Sequence, residues 1–207
     1  MLDPDVAGFV LGSLPPAPAR VLEVGAGDGE LAAKLGAAGY DVLAIDPAST
    51  ADHVRPIRLH ELREPPESFD AGVAVVSLHH VEPLRESCRR LAELVRAGGA
   101  LVLDEIDVGR VDEQAAGWWL EHHGPSDHGP TSPGEIVAFM RDHLHDLPAM
   151  GDALAEWFEL GPPRHGPYLY RWELGPDMRG AEEALIAAGR LPAVGVRIVG
   201  TRKPVPA

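Results

Sequence analysis

The sequence predicts an α/β domain built on a mostly parallel, doubly wound sheet. Short apolar runs rich in branched residues recur at residues 21–24, 40–45, 71–78 and 100–103, and their length and composition are typical of buried parallel strands. Between these runs, apolar residues recur at helical spacing with charged residues on the other side. This alternation of strands and helices predicts a parallel sheet with helices packed against it.

Three glycines at alternate positions follow the first predicted strand, within the run VLEVGAGDGE at residues 21–30. Glycine permits a sharp turn at positive φ and lets a ligand approach more closely than a Cβ would allow. The helical pattern begins at Glu30, so a strand, a glycine turn and a helix N-terminus with free N–H groups meet at one place. We expect this loop and the acidic residue of the strand to bind a ligand: Glu23, Gly25, Ala26, Gly27 and Gly29.

The second predicted strand ends in Asp46-Pro47, 17 residues beyond Gly29. In a right-handed β-α-β unit the second strand lies beside the first, which places Asp46 next to the glycine loop. A carboxylate in that position can accept both hydroxyls of a ribose. Asp-Pro is also a turn signal, so a turn residue or helix cap is the alternative role. Together with the glycine loop, the spacing favours a ribose-bearing ligand held by Asp46 and Pro47.

The glycine spacing separates two classes of ribose-bearing cofactor. A dinucleotide fingerprint, G-x-G-x-x-G or A, requires a small last residue so that the helix packs on the strand. Here Glu30 occupies that position and the third glycine comes one residue early. An NAD(P)-binding oxidoreductase is therefore a disfavoured alternative, and the sequence contains no G-x-x-x-x-G-K-S/T motif for a phosphate-cradling hydrolase.

The pattern Gly25-x-Gly27-x-Gly29 behind Glu23 resembles the first motif of class I (Rossmann-like) S-adenosylmethionine-dependent methyltransferases. The runs FDAGVAVVSLHHV and LAELVRAGGALVLDE, at residues 69–81 and 91–105, are similar to the fourth-to-fifth-strand segment of small-molecule members of that family. The resemblance implies a seven-stranded sheet with helices on both faces and a helical lid before the last two strands. It also implies S-adenosylmethionine as the cofactor and S-adenosylhomocysteine as its product.

The resemblance implies further cofactor contacts beyond the glycine loop. Ser77 and Leu78 would touch the methionine or adenosine portion, largely through their backbone. Many relatives carry Asp near the end of the third strand, whereas this chain has Ile57-Arg58-Leu59-His60-Glu61-Leu62 there, so Glu61 and Leu62 are the candidates for adenine recognition. His79 is a candidate general base near neutral pH, with loop-fixing hydrogen bonds as the alternative role of the His79–His80 pair.

Several later elements follow from periodicity and from glycine and proline signals. Glycine suits a left-handed helix C-cap, so the helix after the histidine pair is expected to end at Gly98-Gly99. In the tail, two strands are expected to flank a helix. The predicted ranges are helix 83–96, strand 168–174, helix 180–188 and strand 194–201, with further helices over 132–146 and 150–158.

Residues 108–167 are predicted to form a lid within a single domain of residues 1–207, because this segment lies where an element would cover the strand C-termini. Adjacent tryptophans cannot share one helix face, so core packing competes with a pocket role for each of them. A methyl acceptor would meet the lid's tryptophans and histidines, with His123 as a second candidate base: Trp118, Trp119, His122, His123 and His128. No Cys pair or H-E-x-x-H accompanies these histidines, so we predict no metal site.

The charge, hydropathy and cysteine content of the chain indicate which classes of acceptor and compartment it fits. Eighteen basic residues against 32 acidic ones give a formal net charge of −14, which disfavours a polyanionic acceptor such as nucleic acid. No apolar run approaches the roughly 18 residues of a membrane span, and a single cysteine fits a reducing compartment. We therefore expect a cytoplasmic, monomeric or homodimeric methyltransferase that acts on a small molecule, at an O, N, S or C atom left open. A non-catalytic S-adenosylmethionine-binding module is the alternative.

Overall fold

A computed structural model of the protein describes residues 4–124 and 130–204. The strands are β1 (Arg20–Val24), β2 (Asp41–Ile45), β3 (Phe69–Val75), β4 (Val95–Ile106), β5 (Phe158–Leu160), β6 (Arg164–Gly166) and β7 (Gly195–Arg202). The helices are α1 (Pro4–Ser13), α2 (Glu30–Ala37), α3 (Leu84–Leu94), α4 (Glu113–His123), α5 (Pro133–His143), α6 (Leu147–Ala155) and α7 (Arg179–Ala187). Within the described ranges, no helix is both long and apolar enough to cross a membrane.

The chain divides into two compact units. The first comprises Met1–Glu105, Pro148–Pro163 and Arg197–Ala207, and the second comprises Ile106–Leu147 and Arg164–Val196. The predicted insertion at residues 108–167 is thus divided between them. Its residues 148–163 belong to the first unit, in which Phe158 to Leu160 of β5 pair antiparallel with Arg202 to Gly200 of β7.

The strands form one seven-stranded sheet in the order β2-β1-β3-β4-β7-β5, with β6 beside β7. β1 runs parallel to both β2 and β3, and β3 runs parallel to β4. The prediction of a mostly parallel seven-stranded sheet is confirmed. Strand order reverses between β1 and β3, because β2 lies on one side of β1 and the chain then continues on the other. A crevice at such a reversal is where open α/β sheets bind ligands.

Helices pack on both faces of the sheet, as β3 shows. Ala71 and Val73 belong to a buried cluster with residues of α1 and α2. Gly72, between them, faces the opposite side, since successive strand residues alternate. A Cβ built on Gly72 would lie 2.9 Å from Leu91 Cδ1, so α3 packs closely against that face. The doubly wound arrangement is therefore confirmed.

Arg197 connects three segments of the first unit. Its Nε donates to Asp104 Oδ2 on β4 at 2.7 Å, and its Nη2 donates to Asp5 Oδ2 on α1, also at 2.7 Å. The guanidinium lies over the Phe9 ring, 4.8 Å from its centroid. Asp104 is buried, and a buried carboxylate is tolerated only when it is paired, so Arg197 both neutralises β4 and holds α1 against the sheet.

The predicted glycine C-cap of α3 is wrong. The helix ends at Leu94, and the next residue is already extended with φ −82° and ψ 128°. Gly98, with φ +75°, lies instead in an irregularity of β4, where the pairing with β3 shifts between Phe69↔Val95 and Ala71↔Ala100. The glycine pair lies within this register shift, a role that the helical pattern does not reveal.

The prediction of a strand over residues 168–174 is also wrong, because a buried carboxylate captures its N–H groups. Glu182 of α7 accepts hydrogen bonds from Tyr168 N and Leu169 N through Oε1 and from Tyr170 N through Oε2, at 2.7 to 2.9 Å. The segment forms a 3-10 turn at Leu169–Arg171. The helix predicted over 150–158 ends at Ala155, before β5. The predicted tail helix and last strand are present as α7 and β7.

Candidate active site

The glycine loop lies at the sheet reversal, between β1 and α2. Gly25 has φ +71°, and a Cβ on it would lie 2.2 Å from Ser77 Cβ after β3, so only glycine lets these two loops meet. Gly27 has φ +57°, and a Cβ on it would meet nothing within 4 Å. Gly29 packs on His53. Gly25 is therefore needed for packing, whereas Gly27 faces open space that a ligand can fill.

The loop's N–H groups are largely consumed inside the protein, which corrects the expectation that they are free. Gly25 N and Ala26 N donate to Ile45 O at 2.8 and 3.0 Å, and Gly29 N donates to Ala26 O. Glu30 N donates to the Asp28 carboxylate at 3.3 Å. The loop is thus hydrogen-bonded to the end of β2, and it offers a ligand mainly open space and few free N–H donors.

Asp46 also holds the glycine loop by a hydrogen bond. Its Oδ2 accepts from Gly27 N at 3.0 Å, and its Oδ1 accepts from Ala48 N at 2.8 Å. The second contact is the turn predicted as the alternative role, and the first places the carboxylate beside the glycine loop as the ribose hypothesis requires. A carboxylate has about four lone-pair sites, so each oxygen retains the capacity to accept a further hydrogen bond.

Glu23 is buried on β1. Burial raises the pKa of its carboxyl to about 8, partly offset by a hydrogen bond to the Ala32 backbone, while the nearby Asp28 charge raises it further. Its Oε2 has no partner among the described residues. The side chain is therefore largely protonated at neutral pH.

The loop after β3 is held by a residue whose role the sequence did not reveal. Glu105, buried on β4, accepts through Oε1 from Ser77 N at 3.0 Å and Leu78 N at 2.7 Å. Its Oε2 lies 2.6 Å from His79 Nδ1. Ser77 Oγ donates to Val24 O at 2.7 Å, which ties the loop to β1. The available sequence signal was an acidic pair, Asp104-Glu105, in the otherwise apolar run of residues 100–106.

A cavity of about 410 Å³ lies against these loops in the first unit. Its walls include four predicted residues, Gly25, Asp46, Pro47 and Ser77. His80, for which the sequence offered only a loop-fixing role, also lines the cavity. The remaining lining residues are Val24, Ile45, Ala48, Ile57, Arg58, Leu59, Val76, Val81 and Glu82.

Other predicted residues lie away from this cavity wall. Leu78 and His79 are buried, and the His79 ring contacts Glu105 through Nδ1, which is a hydrogen bond of the loop-fixing kind given as the alternative role of the histidine pair. Glu61 and Leu62 line a separate depression together with Arg63. The segment that would form a third family strand is a 3-10 turn at Leu59–Glu61, which directs Arg58 and Leu59, and not Glu61, to the cavity.

The predicted acceptor-binding residues lie in the second unit. Trp119 is buried, stacks on Trp172 with ring centroids 4.1 Å apart and on His123 at 4.4 Å, and donates from Nε1 to Trp172 O. His123 Nε2 lies 3.0 Å from Glu173 Oε2. These contacts make Trp119 a core residue.

Trp118 is half-buried against His122, with ring centroids 4.7 Å apart. His128 lies outside the described residues. Over residues 4–124 and 130–204, no three His, Cys, Asp or Glu side chains are grouped as a metal site.

Comparisons with known proteins agree with this geometry. A family profile described as "Methyltransferase domain" matches residues 6–135. A ubiquinone biosynthesis O-methyltransferase of Xanthomonas axonopodis pv. citri (strain 306) is 33% identical over 123 residues, 51% of each chain. An uncharacterized methyltransferase of Mycobacterium tuberculosis (strain ATCC 25618 / H37Rv) is 39% identical over 95 residues, 40% of this chain and 48% of that one. The matches span about half the length of these curated relatives.

The fold is shared more widely than the sequence. A crystal structure of geranyl diphosphate C-methyltransferase from Streptomyces coelicolor A3(2), in complex with Mg²⁺, geranyl diphosphate and S-adenosyl-L-homocysteine, superposes with a TM-score of 0.65. The identity is 15%, and the alignment covers 97% of this chain and 79% of that one. Two observations identify the family. Gly27 N of the glycine loop donates to Asp46 at the sheet reversal, and the methyltransferase profile matches residues 6–135. The chain belongs to the S-adenosylmethionine-dependent methyltransferases.

Proposed function

We propose that the protein transfers a methyl group from S-adenosylmethionine to a small molecule, with the cofactor held at the glycine loop and Asp46. The cavity beside Asp46 carries this proposal. Its volume of about 410 Å³ falls in the range of small-molecule sites, and most of its lining is apolar with a few polar groups. The net charge of −14 supports a small acceptor over a nucleic acid.

The residues present fit the cofactor. The space beside Gly27, where no atom lies within 4 Å of a built Cβ, admits a ligand, and Asp46 retains acceptor capacity for ribose hydroxyls. Gly25, Pro47 and Ser77 would form the adjoining walls. When bound, S-adenosylmethionine supplies an electrophilic methyl group on a positively charged sulfur. The protein's main contribution is to hold that group in line with the acceptor and exclude water.

Glu23, Ala26 and Gly29 would support the cofactor from behind this wall. The buried Glu23 carboxyl lies on β1 just before the loop, and Ala26 and Gly29 fix the loop's path through their backbone bonds. Leu78 would act through the same backbone segment that Glu105 holds. Glu61 and Leu62 are not included in the proposed cofactor site because they line a different depression.

Among the histidines, His80 is best placed to act on an acceptor. It lines the cavity, whereas His79 is buried beside Glu105 and His123 is engaged with Glu173. A histidine titrates near neutral pH and can remove a proton from a hydroxyl acceptor. We propose His80 as the general base and His79 as the residue that positions the loop bearing it. The ring centroids of the two histidines lie 4.2 Å apart.

We propose that the lid predicted over residues 108–167 is formed by its part in the second unit up to residue 147. Within it, Trp118, His122 and His128 are proposed to meet the acceptor, while Trp119 and His123 stabilise the second unit through their stacked rings. Trp118 is the better test residue because it is only half-buried.

The decisive experiment supplies S-adenosylmethionine with a labelled methyl group. The protein would be incubated with phenols, amines, thiols and carbon nucleophiles, and in parallel with RNA and with an unrelated protein. The labelled product would be identified by mass spectrometry. We expect label in a small molecule, and strongly reduced label with Asp46→Ala. Labelled RNA or protein would contradict the proposed acceptor class. Cofactor binding without transfer to any acceptor would favour the non-catalytic module, and size-exclusion chromatography would separate a monomer from a homodimer.

A further inference from the structure

One wall of the cavity carries a cation that neither the glycine loop nor Asp46 accounts for. Arg58 lines the cavity between Ile57 and Leu59, in an extended conformation with φ −77° and ψ 147°. Its side chain is exposed, and it is the one Lys or Arg among the described cavity-lining residues.

Three other arginines of this region have evident partners. Arg20 and Arg55 both pair with Glu64, at 3.0 and 2.8 Å, and Arg90 donates to the backbone oxygens of Leu62 and Glu64. By contrast, the guanidinium of Arg58 makes no hydrogen bond or ion pair with the described part of the chain. A guanidinium presents five donors in a fixed plane, so Arg58 is available to a ligand in the cavity.

The backbone places Arg58 at one end of the cavity. Ile45 at the end of β2 forms a parallel bridge with Arg55, on the side of β2 away from β1. Along the sheet edge the lining residues therefore run from 57–59, through 46–48 and 24–25, to 76–82. Asp46 lies between the two ends of this row.

The polarity of the lining residues indicates which part of the cofactor lies at each end of the cavity. With the ribose on Asp46, the charged amino-acid arm needs polar partners, and Ser77, His80 and Glu82 supply them at the inner end. The outer end offers the apolar side chains of Ile57 and Leu59, which suit the flat faces of a purine. The only described charged donor beside that purine is Arg58. The edge of adenine presents ring nitrogens that accept hydrogen bonds.

We propose that Arg58 recognises the adenine of the cofactor by donating a hydrogen bond from its guanidinium to a ring nitrogen of the base. The inference rests on the proposed placement of the cofactor, with its ribose on Asp46. It gives Arg58 the base-recognition role for which Glu61 was the sequence candidate. Arg58 acts in cofactor specificity and takes no part in the transfer itself.

The test is a binding cycle measured by titration calorimetry. Wild-type protein and Arg58→Ala would be titrated with S-adenosylhomocysteine and with its 1-deaza, 3-deaza and 7-deaza analogues, each of which lacks one ring acceptor. We expect Arg58→Ala to weaken S-adenosylhomocysteine binding about ten-fold, as loss of a charged hydrogen bond does. One deaza analogue should bind wild type about ten-fold more weakly as well, and Arg58→Ala should weaken that analogue no further.

Two controls keep the outcomes distinct. Arg63→Ala makes the same charge change in the neighbouring depression and should leave all four affinities unchanged. Arg58→Lys, which retains the charge but not the planar fork, should recover part of the loss.

Wild-type affinity of Arg58→Ala for S-adenosylhomocysteine would overturn the inference. So would an equal loss for all four ligands, since that indicates stacking or general attraction. Asp46→Ala in the same assay separates the two proposals. If it weakens binding while Arg58→Ala does not, only the Arg58 inference fails; if it binds normally, the placement of the cofactor fails too.

Discussion

Nδ1 of His79 lies 2.6 Å from Oε2 of Glu105, and both side chains are almost fully buried. The same carboxylate also accepts two backbone N–H groups from the loop after β3. One side chain on β4 therefore fixes the loop that carries Ser77 to the cavity and leads on to His80. The position of that wall depends on a group that is itself outside the cavity.

Removing this carboxylate should destabilise the first unit. Glu105→Ala leaves three donors without their acceptor, and each buried unsatisfied donor costs about 1–3 kcal/mol. We expect the free energy of unfolding, measured in urea, to fall by about 3 kcal/mol or more. Glu105→Gln keeps one acceptor oxygen and should lose less. Equal stability of Glu105→Ala and wild type would show that water replaces the carboxylate.

Two glycines of the loop after β1, Gly25 and Gly27, should respond differently to the same substitution. Gly25→Ala places a Cβ 2.2 Å from Ser77 Cβ, so the loops must separate and the protein should unfold at a lower temperature. Gly27→Ala meets no atom within 4 Å and carries mainly the cost of positive φ, about 1–2 kcal/mol. It should remain folded yet bind S-adenosylhomocysteine poorly, and the bulkier Gly27→Val should abolish binding. Thermal denaturation and calorimetry on all three variants test this contrast, which normal binding by folded Gly27→Val would contradict.

Asp46→Ala should weaken S-adenosylhomocysteine binding by about 1.5–3 kcal/mol, the range for hydrogen bonds to a charged group. The loss includes the contact to Gly27 N, so the loop also becomes less fixed. Asp46→Asn is the matched control, because its amide oxygen keeps one acceptor while the second position becomes a donor. We expect an intermediate affinity by calorimetry. NAD should bind none of these proteins, and tight NAD binding would refute the cofactor assignment.

The raised pKa of the Glu23 carboxyl predicts how the free energy of unfolding depends on pH. Its pKa is about 8 in the folded protein against an ordinary 4.5, so the unfolded chain releases this proton first as the pH rises. The resulting stability is fully present below about pH 4.5 and is lost as the pH rises to about 8. Glu23→Gln stays neutral. Its free energy of unfolding should therefore gain on that of wild type between pH 5 and pH 9, and parallel pH curves would contradict the raised pKa.

Alanine variants of the two adjacent tryptophans should differ, one in stability and the other in acceptor binding. Trp119→Ala removes a buried ring stacked on two others and should cost about 3–5 kcal/mol of stability. Trp118→Ala affects a half-buried ring and should leave the unfolding midpoint nearly unchanged while raising the KM for the acceptor. Unchanged kinetics in Trp118→Ala would remove this residue from the proposed lid site.

Local patterns in the sequence predicted the parts of the site that are close in the chain. The glycine loop and Asp46 lie within one β-α-β unit, so spacing alone brought them together. Glu105 could not be found in this way, because its partners are 26 to 28 residues distant and meet it through the alignment of two strands. Arg58 was also missed, since a 3-10 turn and not a strand determines which residues of its segment reach the cavity.

The mistaken strand and helix cap have a common physical cause. In each case a tertiary contact uses backbone that local propensity assigns elsewhere. Glu182 accepts hydrogen bonds from three N–H groups of residues 168–170, and the glycines expected to end α3 lie in a register shift of β4. Tertiary context overrode propensity at both places. The loop amides expected to face a ligand were likewise used within the fold.

The hydrogen bonds of Arg197 to Asp104 and Asp5 have a consequence for the order in which the chain folds. Asp5 and Arg197 are separated by 192 residues, and the first unit draws its last strand from beyond the second unit. Contacts this distant in sequence slow folding, because a long loop must close before they form. During synthesis, α1 can therefore dock fully only after the ribosome has translated residue 197. Until then, the apolar face of the sheet that α1 covers is partly exposed, and such transiently exposed surface is prone to aggregation.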